Sequence, residues 1–199
     1  GLFYRFTPKV KKKLSEGGNL EVLSFKDWRG IDTSNWKKEN IKVGNRYKVR
    51  WINIDNVNSP DDDLRYRGRN MGAAIFARGE GIFCSNNIIY FTATTGGENK
   101  TGQIWRYTPG QNGSDDFIEL FYESKDSDVL NMPDNIIISP RGHIFLCEDG
   151  KGRDRLVCIK PNGSIYYLAN NALNNAEFAG MTFSPDGSIL FVNIYSPTM

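Results

Sequence analysis

From Gly79 onward, apolar residues come in short runs separated by Gly, Pro, Asn and Asp, with almost no helical period, which predicts strands joined by turns. Ile82-Phe83-Cys84 and Ile88-Ile89-Tyr90-Phe91-Thr92 lead into Thr95-Gly96-Gly97. Gln103-Ile104-Trp105-Arg106-Tyr107 then runs into Pro109-Gly110, and Phe117-Ile118-Glu119-Leu120-Phe121-Tyr122 completes a set of four strands. A second set of four follows: Ile136-Ile137-Ile138, His143-Ile144-Phe145-Leu146-Cys147, Arg155-Leu156-Val157-Cys158-Ile159 and Ser164-Ile165-Tyr166-Tyr167-Leu168. A third set begins at Gly180-Met181-Thr182-Phe183, turns at Ser184-Pro185-Asp186-Gly187 and continues through Ile189-Leu190-Phe191-Val192-Asn193, giving two strands before the chain stops.

The sets repeat in phase. Glu80, Asp134 and Glu177 each precede the first strand of a set, at separations of 54 and 43 residues, and Ser-Pro-x-Gly recurs at Ser139 and Ser184, 45 residues apart. This is near the period of a four-stranded propeller blade. A β-sandwich also yields short strands and Gly/Pro turns, but it gives no reason for an acid at one phase of every set. The fold expected is therefore all-β, a β-propeller of four-stranded blades, with 1–199 as one domain. Leu2 to Phe6 and Leu20 to Phe25 read as a leftover pair of strands, so the total is a partial ring of about three blades. A ring left open in this way reads as part of a longer chain. Residues 26–78 read as an irregular insertion, packed over one face of the ring by Trp28, Trp36 and Trp51.

Composition narrows the classes. With 24% charged and 39% hydrophobic residues, 20 glycines and 13% aromatics, the chain is a turn-rich globular protein and not a disordered one. A formal charge of +2 provides no global field for nucleic acid or an anionic membrane. No apolar run approaches the roughly 20 residues of a membrane-spanning helix. Cys84, Cys147 and Cys158 have no C-x-x-C spacing and sit on apolar strands, so they read as buried free thiols.

Candidate chemistry lies ahead of the innermost strands, where a side chain points into the channel mouth of a propeller. Arg78-Gly79-Glu80-Gly81, Pro133-Asp134-Asn135 and Glu177-Phe178-Ala179-Gly180 place carboxylates and a carboxamide there, and Cys147-Glu148-Asp149-Gly150 adds two more acids. Converging carboxylates raise one another's pKa unless a cation neutralises them, and oxygen donors without clustered His suit calcium rather than structural zinc. Asp134 and Asn135 also have a plain reading as turn residues, Glu148 and Asp149 as solvated acids, and Arg78 as an ion-pair partner that orders Glu80. Asp186 reads as a turn residue, and His143, the lone histidine, as structural or exposed. Arg78 lies on the same strand face as Glu80 and has the fork geometry to grip a phosphate oxygen.

Taken in order, these motifs, with Ile89 to Thr92, Gly102-Gln103-Ile104-Trp105 and Leu190-Phe191-Val192-Asn193, resemble the PhoX-type alkaline phosphatase family. The likeness is specific over residues 79–193 and looser over 1–78. It implies a six-bladed propeller, exported by a twin-arginine signal to the periplasm or beyond, that hydrolyses phosphate monoesters with calcium and iron in its channel. Carried onto this chain, it implies Glu80, Asp134 and Glu177 as metal ligands, with Asn135, Glu148 and Asp149 as further candidates and Arg78 at the phosphate. It also implies a monomer acting on a small phosphate ester, this chain forming the C-terminal half. A cysteine that the family uses at iron, and the leader, have no counterpart here. Two other readings stand beside it: a gluconolactonase-type calcium lactonase, and a non-catalytic propeller module with structural calcium.

Overall fold

The computed structural model describes residues 1–152 and 154–196. Among the described residues, thirteen strands and one short helix follow one another. Strands β4 (Gly79–Ser85), β5 (Ile88–Ala93), β6 (Gln103–Thr108) and β7 (Asp116–Glu123) form an antiparallel meander, and β8 (Pro133–Ile138), β9 (Ile144–Glu148), β10 (Arg155–Ile159) and β11 (Ile165–Asn170) form a second. A third sheet holds β12 (Phe178–Phe183) and β13 (Leu190–Ile194). These are the three sets read from the strand spacing, each opening on its innermost strand. The sheets stack face to face as propeller blades do, and the all-β expectation holds.

Residues 26–78 are more regular than their polarity implies. Arg46–Ile54 is a nine-residue strand, β3, that pairs with β7 from Arg46 opposite Glu119 to Val49 opposite Asp116. Its other edge takes β2 (Lys13–Phe25), which takes β1 (Tyr4–Val10), so the N-terminal strands extend the first blade into one seven-stranded sheet and build no blade of their own. The alternation in Arg46-Tyr47-Lys48-Val49-Arg50 is that of a half-buried strand, and its basic residues face outward. Helix α1 (Leu64–Asn70) is entered through Ser59, whose Oγ accepts the N–H groups of Asp63 and Leu64 at 2.9 Å. Trp28 and Trp36 are exposed, and of the three tryptophans expected to pack this segment Trp51, on β3, packs against the core. Ile41, Ala74 and Phe76 pack the segment with it, in a core shared with Leu23, Phe91, Trp105 and Leu120.

Two further cores join the blades. Between the first and second sheets lie Ile104, Leu130, Ile136, Ile138, Ile144, Leu146, Val157 and Ile159. Between the second and third lie Ile137, Phe145, Cys147, Leu156, Cys158, Phe178 and Met181. Alternate residues of β8, β9 and β10 therefore enter opposite cores, which is why this blade reads as unbroken apolar runs: both of its faces are buried.

The inner strands approach closely. A Cβ on Gly81 of β4 would stand 2.3 Å from the carbonyl oxygen of Asp134 on β8, so only glycine permits this backbone contact. Gly180 of β12 has φ +58°, and its N–H donates to Asn135 Oδ1 at 2.6 Å. β4, β8 and β12 are thus fixed side by side with their first residues at one end.

Candidate active site and metal centre

At that end the side chains converge. Ligand oxygens of Asp134 (β8), Asp149 (just past β9) and Glu177 (just before β12) lie within 4.8 Å of one another, each side chain half-buried. The second sheet supplies two of these acids and the third sheet one, because each acid sits where its chain enters or leaves the shared end of a blade. Main-chain bonds hold the approach. The Asp149 N–H donates to Met132 O at 2.9 Å, and Tyr195 N–H to Glu177 O at 2.9 Å.

Arg78 bridges the group to β4. Its Nε donates to Glu80 Oε1 at 3.0 Å and its Nη2 to Asp149 Oδ2 at 2.5 Å, from a backbone at φ +56° where β4 begins. Glu80 therefore stands at the rim, tied to the cluster through Arg78, in a groove of about 390 Å³ shared with Asp134, Asn135 and Met181. Asn135 Nδ2 donates to Asp134 Oδ1 at 3.3 Å while its oxygen holds Gly180, so this amide links β8 to β12 beside the carboxylates.

Glu148 is drawn elsewhere. It is buried, and Arg155 grips it through Nε to Oε2 at 2.6 Å and Nη2 to Oε1 at 2.7 Å, while the N–H groups of Asn131 and Arg155 donate to the same oxygens. Strand alternation sends Glu148 and Asp149 to opposite sides, and only the second reaches the centre.

The charges are unbalanced. Burial pushes the Glu177 carboxyl well above the usual carboxylate range, and the neighbouring Asp149, Asp134 and Asp154 add to it. Burial and then Glu80 raise Asp134. Asp154 is pushed up to about 6 by burial and by the charges of Asp149 and Glu148. Burial, reinforced by Asp134 and Glu177, lifts the Cys147 thiol to about 12, so it stays protonated in the adjoining core. Carboxylates pushed towards their protonated form by burial and by one another form a set that a hard cation would relieve. The donor set is all oxygen, which fits calcium.

Residue-type reasoning missed Asp154, Thr92 and Thr94. Asp154 is buried and accepts the Gly150 N–H at 2.9 Å, and the signal for it was an acid at each end of the glycine-containing loop 149–154. Thr92 Oγ1 accepts the Gly81 N–H at 2.9 Å and donates to Asp134 O at 2.7 Å; Thr94 Oγ1 donates to Pro133 O at 2.9 Å. Thr92 lies on β5 and Thr94 just past its end, and both hydroxyls hold the start of β8. Nothing in their local sequence marks them, because the contact is between blades.

Fold and site together define the class: a β-propeller-like protein with an acidic centre where its inner strands begin. The chain matches the family model of alkaline phosphatase PhoX over residues 1–198, and it belongs to that family. No curated protein matches it. Among solved structures it is similar to Pseudomonas fluorescens PhoX in complex with vanadate, a transition state analogue, at a TM-score of 0.71 and 20% identity. That match covers 98% of this chain and 44% of the other, so the chain spans less than half the length of the matched structure.

Proposed function

We infer that this chain forms the phosphate-binding and cation-holding face of a metal-dependent phosphomonoesterase. The observation that carries the reading is the Arg78 guanidinium held between Glu80 and Asp149 at the edge of the Asp134, Asp149 and Glu177 cluster, in a chain of the alkaline phosphatase PhoX family. Asp134, Asp149 and Glu177 would hold calcium, with Glu80 and Asn135 at the rim; iron belongs to the reading through the family likeness. A bound cation supplies Lewis-acid neutralisation of charge developing on the phosphoryl oxygens.

The chain's own part is positional. Two carboxylates fix the plane of Arg78, which leaves its remaining N–H groups to take a phosphate oxygen without first losing rotamer freedom. Burial and the neighbouring Asp149 favour the protonated form of Glu177 when no cation is present, and releasing that proton would couple cation binding to pH. The family match favours phosphate-ester chemistry over the lactonase and binding-module readings. No helix among the described residues is long and apolar enough to cross a membrane. Export and a monomeric state belong to the same proposal.

The test is turnover of p-nitrophenyl phosphate by the protein at its natural length, with calcium and after chelation. Chelation should abolish turnover, calcium should restore it, and Arg78→Lys should lower kcat/KM by about tenfold or more by removing the fork. Turnover that survives exhaustive chelation removes the cation from the mechanism.

A further inference from the structure

The acidic centre borders a space of opposite charge. The chain turns back at the same end of the sheets between β5 and β6, between β7 and β8, and between β9 and β10, and these three connections wall a trough of about 730 Å³. Lys100, Lys125 and Lys151 contribute one lysine from each wall. All three are exposed. Among the described residues the lysines that form ion pairs are Lys26 and Lys48, both with Asp115, so the trough lysines have no carboxylate partner.

Neighbouring acids are occupied elsewhere. Glu123 accepts from Asn35 and Gln103 at 2.8 Å, Glu148 is gripped by Arg155, and Asp126 Oδ1, which is in the trough, caps the Asp128 N–H at 2.8 Å. Asn131 lines the trough with its side-chain amide free, its main-chain N–H being the group that binds Glu148. The position is specific. Met132, in the trough floor, is two residues before Asp134, and Lys151 is two residues after Asp149. Two residues of chain span at most about 7 Å, so the trough and the acidic centre are neighbours.

We propose that this trough is a second-anion subsite, taking a phosphate or carboxylate group of an ester whose reacting phosphoryl sits at the Arg78 and carboxylate centre. The proposal rests on the phosphatase reading and deepens it. Its substrate class is phosphomonoesters with another negative group a few bonds from the scissile phosphate. A group delivered there exchanges one hydrated contact for several lysine contacts. Exposed pairs of this kind contribute up to about fivefold each.

The test compares fructose 1,6-bisphosphate with p-nitrophenyl phosphate in the natural-length, calcium-loaded protein and its Lys100→Gln/Lys125→Gln/Lys151→Gln variant. The ratio of kcat/KM for the bisphosphate to that for the aryl ester should fall about tenfold in the variant. The steep loss of bisphosphate turnover with added salt should flatten as well. An unchanged ratio, or an equal fall for both esters, overturns the subsite and leaves the phosphatase reading standing. Failure of the unmodified protein to hydrolyse either ester overturns both.

Discussion

Thr92→Val keeps the shape of a side chain that is fully buried and deletes only its hydroxyl. That oxygen accepts from Gly81 on β4 and donates to the Asp134 carbonyl on β8, so the change strands one donor and one acceptor across a blade interface. Stranding a buried polar group costs about 1–3 kcal/mol. Gly81 and Asp134 are half-buried, so water repays part of this, and a total of about 2–3 kcal/mol is expected. For a chain of this size that corresponds to a fall in Tm of about 4–12 °C. Guanidinium unfolding in chelator should show a lower midpoint at constant m-value, and Thr92→Ser, which keeps the oxygen, should recover most of the difference. Because the same bond holds the Asp134 backbone, calcium affinity should fall by about 10- to 100-fold, as it does when outer-sphere partners of metal ligands are removed. The reasoning is refuted if valine unfolds within about 0.5 kcal/mol of the parent, or if serine is as damaging as valine.

Arg155→Met should cost about 3–5 kcal/mol, since it leaves Glu148 charged and unpaired at 1% exposure, and adding Glu148→Leu should recover most of that loss in urea unfolding. The pH prediction follows from sign. The folded chain holds protons on Asp154 and Glu177 more tightly than the unfolded chain does, so between their ordinary carboxylate range and neutrality the native state binds more protons, and stability falls as pH rises. Asp115 and Asp186, held near 2 by their partners, titrate below this window. Melts in chelator should therefore show a lower Tm at pH 8 than at pH 5, with calcium raising Tm more at pH 8. A chelated Tm that climbs from pH 5 to pH 8 contradicts the account.

The three blades were legible because β5 to β10 carry dense apolar runs between Gly/Pro turns, and the phase of Glu80, Asp134 and Glu177 located the end where they meet. β3 was not, since its basic outer face dilutes the alternation of Tyr47, Val49 and Trp51. At the site, residue type alone treated Glu148 and Asp149 as equals. The period of two separates them, and the matching guanidinium of Arg155 lies seven residues further on. Thr92 and Thr94 were invisible for a different reason: their partners lie 42 and 39 residues away, and no local pattern encodes such pairings.

The doubly covered second sheet has an evolutionary corollary. Any change of side-chain volume in its inner strands is felt by one neighbour or the other, and the strand that carries Asp134 has no free side on which to absorb it. Diversification of specificity is thereby channelled into the turns that cap the sheets, where insertions and charge reversals leave the scaffold untouched.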